Sequence, residues 1–90
     1  MPTATAQVTI SNRLGLHARP AMALVDLANG FSADVKLRKD TQTVDAKSIM
    51  QIMMLAATKG TVLTVSAEGP DADAAVQAVV SLVESKFDEE

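Results

Sequence analysis

The chain has 90 residues, which is enough for one domain with a two-layer core but too few to enclose a deep substrate pocket. The absence of cysteine excludes a disulfide framework and a thiolate metal site. A net charge of −3, without basic residues interleaved with aromatic ones, argues against nucleic-acid binding. The longest unbroken apolar run, Ile52 to Ala57, is too short to cross a membrane, and the N-terminus resembles no signal sequence, so we expect a cytoplasmic protein.

The first two predicted elements are a strand and a helix. Alternating apolar and polar residues from Thr5 to Ile10 predict a half-buried strand. Apolar residues at helical spacing predict a helix from Ala18 to Asn29. Because Gly30 and then Phe31 follow, we expect this helix to end in a left-handed C-cap with an apolar contact.

A hairpin and a short helix follow. Two alternating runs, Ala33 to Lys39 and Thr41 to Ala46, flank a polar turn and predict paired strands. A helix is predicted from Ser48 to Ala57, because Ser48 and Gln51 fit the S-x-x-Q capping box. This helix is short and unusually rich in methionine.

The last predicted elements are a strand from Thr61 to Ala67 and a helix from Ala72 to Phe87, with Asp71 as the expected helix cap. The apolar positions of this helix form one stripe, wide enough to cover a sheet: Ala72, Val76, Val79, Val80, Val83 and Phe87. The element order is therefore β-α-β-β-α-β-α, with one-sided strands and amphipathic helices. These elements predict an α+β fold over residues 1–90, an open-faced sandwich in which the helices cover one face of a sheet.

The only histidine, His17, lies where a glycine-bearing loop becomes the first helix. Unpaired backbone N–H groups and the helix dipole make such a helix end attractive to anions. We expect Ala18 and Arg19 to supply those N–H groups, whereas Pro20 has none and its fixed φ suits the first turn. Phosphoryl transfer needs mainly positioning and electrostatic stabilisation, so an imidazole nucleophile with Arg19 close by favours a phosphoryl acceptor.

Other roles for His17 explain fewer features of its surroundings. A lone histidine commonly only caps a helix, but Met1 to Val25 contains two arginines and no carboxylate, which makes this region locally positive. A Ser-His-Asp triad would lack a nearby carboxylate, a metal site would have one nitrogen ligand, and the glycines compose no nucleotide-binding loop. The acidic residues after Gly60, Glu89 among them, are expected to form a solvated helix face and a frayed tail.

The sequence resembles the HPr family of phosphocarrier proteins of the bacterial phosphoenolpyruvate-dependent phosphotransferase system, over essentially its whole length. The residues that carry the resemblance are Gly15-Leu16-His17-Ala18-Arg19-Pro20-Ala21, Ala46-Lys47-Ser48-Ile49-Met50, and the strand with its flanks from Lys59 to Gly69. The resemblance implies a four-stranded antiparallel sheet with three helices on one face. It also implies that enzyme I, using phosphoenolpyruvate, phosphorylates His17 on Nδ1, with Arg19 beside it, and that the group passes to IIA proteins. Such a protein is a carrier rather than an enzyme and needs no cofactor or metal.

The resemblance also matches Ser48 to a serine that HPr kinase/phosphorylase modifies for regulation in many members. A serine N-cap by itself contributes ~1 kcal/mol to its helix, so capping alone also explains this residue. A phosphate there would add negative charge where partners dock and is expected to inhibit transfer. The expected docking surface is largely apolar and rich in methionine, while Ile52 and Leu55 are expected in the core. Its predicted residues are Leu16, Met22, Lys47, Ile49, Met50 and Met53.

The sequence leaves open which branch of the phosphotransferase system the chain serves, and it gives little support to other classes of function. Residues 17–22 and the ending 86–90 also resemble NPr, the carrier of the nitrogen-related branch, whereas residues 47–50 favour the kinase-regulated HPr type associated with sugar transport. Retention of His17 argues against a regulatory form that carries no phosphoryl group. Among other classes, an acylphosphatase-like hydrolase would need a glycine-rich anion cradle with an arginine, and a ligand-binding regulatory module would need a pocket; the sequence reveals neither.

Overall fold

The computed structural model describes residues 2–89; Glu90, the last residue of the predicted tail, lies outside the described residues. The strands are β1 (Thr3–Thr9), β2 (Asp34–Lys39), β3 (Gln42–Asp45) and β4 (Val62–Glu68), and the helices are α1 (Ala18–Asn29), α2 (Ile49–Met54) and α3 (Ala72–Glu84). A short 3-10 turn, Lys86–Asp88, follows α3. The predicted order is confirmed, and the strand ends differ from the prediction by at most two residues.

The four strands form one antiparallel sheet in the order β1-β4-β2-β3. One row of paired residues crosses the whole sheet, from Ala6 through Val65 and Leu37 to Val44. Val65 and Leu37 are fully buried, whereas Lys36, next to Leu37 on the opposite face, is exposed. The helices pack on the buried face, and α3 contacts β1, β2 and β4. The predicted open-faced sandwich with three helices on one face is therefore confirmed.

The core between the sheet and the helices is almost entirely aliphatic, as the composition predicts. Leu24 of α1, Ile52 of α2 and Val79 of α3 are fully buried, and the prediction that Ile52 and Leu55 lie in the core is confirmed. Full burial of a side chain of this size contributes roughly 1.5–3 kcal/mol relative to exposure. Each helix is therefore held to the sheet mainly by its own apolar stripe.

The end of α1 differs from the prediction. Gly30 has a right-handed φ of −75°, so the predicted left-handed cap is wrong. Its N–H donates to the carbonyl of Leu27 and the N–H of Phe31 donates to that of Ala28, both at 3.1 Å. These bonds tighten the last turn and satisfy terminal carbonyls without a left-handed residue. Phe31 still packs against the core.

The second helix is shorter than predicted and its capping box is only half formed. α2 ends at Met54, three residues short of the prediction, and Ala56 beyond it is left-handed, with a φ of 50°. The Ser48 Oγ accepts a hydrogen bond from the N–H of Gln51 at 3.3 Å. The Gln51 side chain does not return this bond, because its Oε1 accepts instead from the N–H of Asp45 at 2.9 Å.

The predicted final helix is interrupted before its end. α3 stops at Glu84, and the chain then takes three successive left-handed residues, Lys86, Phe87 and Asp88, with φ between 56° and 59°. Phe87 is nevertheless buried, as the predicted stripe required, whereas Val80 is only partly buried. The helix therefore ends before Phe87, although this residue keeps its predicted place in the core.

Asp71 joins the start of α3 to the start of β2. Its two carboxylate oxygens accept hydrogen bonds from the backbone N–H groups of Ser32 and Ala33, each at 2.8 Å. Asp71 occupies the N-cap position, but its side chain makes no capping bond to α3, so the predicted cap is only positional. The hydrogen bond from Ser32, then that from Ala33, and the charge of Lys47 hold the pKa of the Asp71 carboxyl below its usual range.

Ionised Asp71 should therefore stabilise the fold above about pH 4, near the unfolded-state pKa, and this stabilisation should be lost as pH falls through the folded-state pKa. Asp71→Asn replaces one acceptor oxygen by an amide donor that faces a backbone donor. We expect a lower urea midpoint than wild type at pH 7 and a difference that shrinks in acid. Asp26→Asn, at an exposed carboxylate of α1, is the control and should change little. Equal midpoints for Asp71→Asn and wild type at pH 7 would contradict this role.

Candidate functional site

The loop between β1 and α1 is hydrogen bonded along its length to the segment that connects α2 to β4. Ile10 donates its N–H to the carbonyl of Thr61 at 2.9 Å and accepts at its own carbonyl from the N–H of Gly60 at 2.7 Å. At the other end, the N–H of Leu16 donates to the carbonyl of Ala57 at 2.8 Å. The point at which α1 begins is therefore set by a neighbouring segment of the fold.

Gly15 allows this loop to approach its neighbour closely. It has a φ of +69°, and a Cβ atom there would lie 2.6 Å from the Ala57 carbonyl oxygen and 2.8 Å from the Thr58 Cα. A side chain at this position would force the two backbones apart. Leu16 is only 5% exposed, so its predicted place on a docking surface is wrong. Its side chain instead holds the loop to the core immediately before His17.

His17 is the N-cap residue of α1, and its side chain is 36% exposed. Its carbonyl accepts the N–H of Ala21 at 3.0 Å, which begins the helical hydrogen bonding. The N–H groups of Ala18 and Arg19 lie in the first turn, where a helix offers them no acceptor, and within residues 2–89 neither has a partner in another segment. The first turn carries no acidic residue. This arrangement favours an anion beside the imidazole.

A carboxylate from the C-terminal segment contacts the other edge of the site. Glu89 Oε1 lies 2.9 Å from His17 Nε2, and the same oxygen accepts from Asn12 Nδ2 at 3.0 Å. Asn12 is fully buried and also donates to the Gly15 carbonyl at 2.7 Å, so it links the loop to the tail. Within residues 2–89, His17 Nδ1 has no hydrogen-bond partner.

The expectation of a frayed acidic tail is wrong for Glu89, whose side chain is 25% exposed and hydrogen bonded. The hydrogen bond from His17, then that from Asn12, lowers the pKa of the Glu89 carboxyl, and the charge of Arg19 adds to the effect. An ionised carboxylate has no proton to donate, so the hydrogen between the two side chains belongs to His17 Nε2. The sequence gives only a weak signal for this contact. Phe87 is apolar and needs burial, which holds the chain against the core two residues before Glu89.

Arg19 is exposed and makes no ion pair within the described part of the chain. Together with Pro20 and Ala23 of α1, and with Phe87 and Glu89 of the C-terminal segment, it lines a cleft. Its guanidinium, two residues after His17 in the first turn of α1, is thus available to a ligand that carries negative charge.

Apolar side chains lie exposed beside the site, on α1 and α2. We call this set the apolar surface; its members are Met22 (58% exposed), Ile49 (36%), Met50 (76%), Met53 (42%) and Met54 (68%). Met22 and Ile49 line a common cleft, so the two helices contribute to one surface. Sequence reasoning missed Met54, which follows the predicted methionines directly.

Lys47 and Ser48 lie at the edge of the apolar surface, and both are partly buried. The Lys47 ammonium donates to the Phe31 carbonyl at 2.9 Å, so it points toward the protein rather than toward a partner. Ser48 is the N-cap of α2 and directly precedes Ile49.

No helix of residues 2–89 is both long enough and apolar enough to cross a membrane. In the same range, no group of three or more histidine, cysteine or acidic side chains is placed to hold a metal ion.

Known proteins match the chain in both sequence and structure. The family model described as PTS HPr component phosphorylation site matches residues 4–85. Phosphocarrier protein HPr of Cupriavidus necator is 46% identical over 81 residues, which are 90% of this chain and 91% of that protein. Phosphocarrier protein NPr of Escherichia coli K12 is also 46% identical, over 92% of this chain and 93% of its own.

Solved structures give the same result. HPr-C-His of Thermoanaerobacter tengcongensis superposes with a TM-score of 0.93 at 47% identity, covering 97% of this chain and 98% of that chain. HPr of Bacillus anthracis superposes with a TM-score of 0.88 at 43% identity, covering 92% and 99%. A family match over most of the chain, supported by relatives at this identity and by the same fold, shows that the chain belongs to the HPr family of phosphocarrier proteins of the phosphotransferase system.

Proposed function

We propose that His17 accepts a phosphoryl group on Nδ1 from phosphorylated enzyme I, with phosphoenolpyruvate as the source, and donates it to IIA proteins. The observation that carries this proposal is the position of the ring at the N-terminus of α1, with Nδ1 unpartnered within residues 2–89 and Nε2 bonded to Glu89. In this role the chain is a protein substrate shuttled between enzymes, and it needs neither a cofactor nor a metal. A cytoplasmic location is part of the proposal.

The surroundings of the ring suit an incoming phosphoryl group. The N–H groups of Ala18 and Arg19 offer donors that require no rearrangement, and the helix dipole favours the negative charge. The Arg19 guanidinium, without an ion pair in the described residues, supplies a full positive charge. Because phosphoryl transfer depends mainly on positioning and electrostatic stabilisation, no further catalytic group is required on this chain.

The apolar surface supplies a place for the partner proteins to dock beside His17. Its methionines adapt to partners of different shape, which suits a carrier that must bind both a donor and an acceptor protein. Leu16 is not part of this surface because it is buried, and Lys47 contributes little because its ammonium bonds to Phe31. Docking is therefore assigned to Met22, Ile49, Met50, Met53 and Met54.

A second candidate is service in the nitrogen-related branch rather than in sugar transport. The identity of 46% to both an HPr and an NPr favours neither branch. Both candidates use His17 in the same way and differ only in the partner proteins.

Enzyme I and radiolabelled phosphoenolpyruvate test the acceptor residue. Wild type should take up a label that is lost in acid, because a phosphoramidate on histidine is acid-labile, and His17→Ala should take up none. Ser48→Ala is the matched control and should label as wild type does. Label that survives acid on wild type, or labelling of His17→Ala, would exclude His17 as the acceptor.

We further propose that phosphorylation of Ser48 by an HPr kinase/phosphorylase inhibits transfer. Ser48 directly precedes the apolar residues Ile49 and Met50, and a phosphate there would place roughly two negative charges at the edge of the surface used for docking. Neither an acidic nor an apolar partner surface would favour that charge.

Ser48→Asp imitates part of this charge and should lower the rate of phosphoryl uptake from enzyme I by about tenfold at limiting enzyme I, which corresponds to ~1.4 kcal/mol of docking free energy. The defect should shrink at saturating enzyme I, because docking and not chemistry is impaired. Ser48→Asn keeps a side-chain cap without the charge and is the control. Uptake by Ser48→Asp at the wild-type rate would refute the inhibitory role.

A further inference from the structure

The side chain of Glu89 is held against the imidazole by more than one contact. Its Oε1 atom bonds both His17 Nε2 and Asn12 Nδ2, and the buried Asn12 bonds in turn to the Gly15 carbonyl. The residue before it, Asp88, is exposed and has no side-chain hydrogen bond among the described residues. Of these two neighbouring carboxylates, only that of Glu89 contacts the His17 ring.

The backbone that delivers Glu89 is unusual. Three successive residues without glycine, Lys86, Phe87 and Asp88, are left-handed, a conformation that non-glycine residues adopt at a cost. Phe87 is buried in the core at the centre of this turn. The N–H of Glu89 closes the turn on the carbonyl of Lys86 at 2.9 Å. This strained turn therefore places the Glu89 carboxylate against Nε2 of the His17 ring, away from Nδ1.

We propose that Glu89 is a positioning residue for phosphoryl transfer at His17: its carboxylate holds the ring proton on Nε2, so that Nδ1 is the nucleophile and a neutral imidazole is the group released. The inference rests on the proposed function of His17 as the phosphoryl acceptor.

The two transfer steps show what the carboxylate contributes. In acceptance, the Nδ1 lone pair forms a bond to phosphorus while the bond from phosphorus to the donor breaks, and that electron pair leaves with the donor. The ring keeps its proton on Nε2 and gains one positive charge, which Glu89 offsets. In donation, the N–P bond breaks and its electron pair returns to Nδ1, leaving a neutral ring. Without the Nε2 proton the released group would be an imidazolate, which is a far poorer leaving group.

The carboxylate does not need to accept the proton in either step. It orients the ring and stabilises the charge, as the aspartate does in a Ser-His-Asp triad. Among the described residues, no other acceptor bonds His17 Nε2. Asn12 contacts Glu89 through its amide donor, so it supports the carboxylate and does not replace it.

Chemical phosphorylation of the full chain tests this role without enzyme I. Potassium phosphoramidate is the donor, and the phosphorylated nitrogen is identified by NMR from the coupling between ring nitrogen and phosphorus. Wild type should be phosphorylated on Nδ1. Glu89→Ala should give a mixture of Nδ1 and Nε2 products, because Nε2 is no longer occupied. Asp88→Asn removes one charge from the same tail and should behave as wild type.

The kinetic readout is the rate at which phosphoramidate phosphorylates His17, the step in which the ring gains positive charge. Glu89→Gln keeps an acceptor oxygen without the charge and should be phosphorylated about tenfold more slowly, the order expected when a charge-assisted hydrogen bond becomes a neutral one. Urea midpoints of the variants equal to that of wild type would separate this effect from unfolding. Exclusive Nδ1 phosphorylation of Glu89→Ala, or phosphorylation of Glu89→Gln at or above the wild-type rate, would overturn the proposal.

A titration tests the contact separately from any transfer. In wild type the pKa of the Glu89 carboxyl is lowered, first by the hydrogen bond from His17. In His17→Ala it should rise toward the usual range, as followed by carbon NMR of the side chain. An unchanged titration would contradict the contact itself. Failure of wild type to take phosphate from enzyme I, with the titration and the phosphoramidate results as expected, would reject the carrier function and leave the orienting contact intact.

Discussion

The close packing of the loop before α1 against the backbone at Ala57 and Thr58 is the constraint on which the site depends. Gly15 allows the approach because a Cβ atom there would lie 2.6 Å from a carbonyl oxygen, and Leu16 keeps it by burying its side chain. The next residue, His17, is consequently exposed at the tip of α1 rather than packed inside. The role proposed for His17, exchange of phosphoryl groups with large proteins, needs such exposure, and a helix end supplies donors that are already in place.

The two edges of the imidazole have different surroundings. Nε2 faces the Glu89 carboxylate, whereas Nδ1 has no partner within residues 2–89 and lies at a helix end whose first-turn N–H groups carry partial positive charge. A negatively charged ligand on Nδ1 would therefore lie at the opposite edge of the ring from the tail carboxylate. The site combines a carboxylate on Nε2, first-turn N–H donors and the exposed Arg19, and the apolar surface lies beside it on α1 and α2.

The architecture could be predicted because each strand and helix carries its own apolar period, and the bounds of α1 agree with the sequence pattern at both ends. Features that depend on tertiary contacts could not. The sequence predicts an exposed Leu16, but this residue is buried because its loop packs against Ala57. Gly30 ends α1 without the left-handed conformation that glycine permits. The acidic tail has the composition of a solvated segment, so the contact of Glu89 with a residue 72 positions earlier leaves no local signature. The position of His17 at a helix start could be predicted, because that depends only on neighbouring residues.

The most direct measurement is of the backbone amide protons of Ala18 and Arg19 before and after phosphorylation of His17, by proton–nitrogen NMR on the intact chain. If these groups cradle the phosphoryl group, both resonances should move downfield on phosphorylation and return when the group is hydrolysed. Amides on the solvent face of β1 should remain unchanged. Resonances of Ala18 and Arg19 that do not move when His17 carries the phosphoryl group would contradict a helix-end cradle.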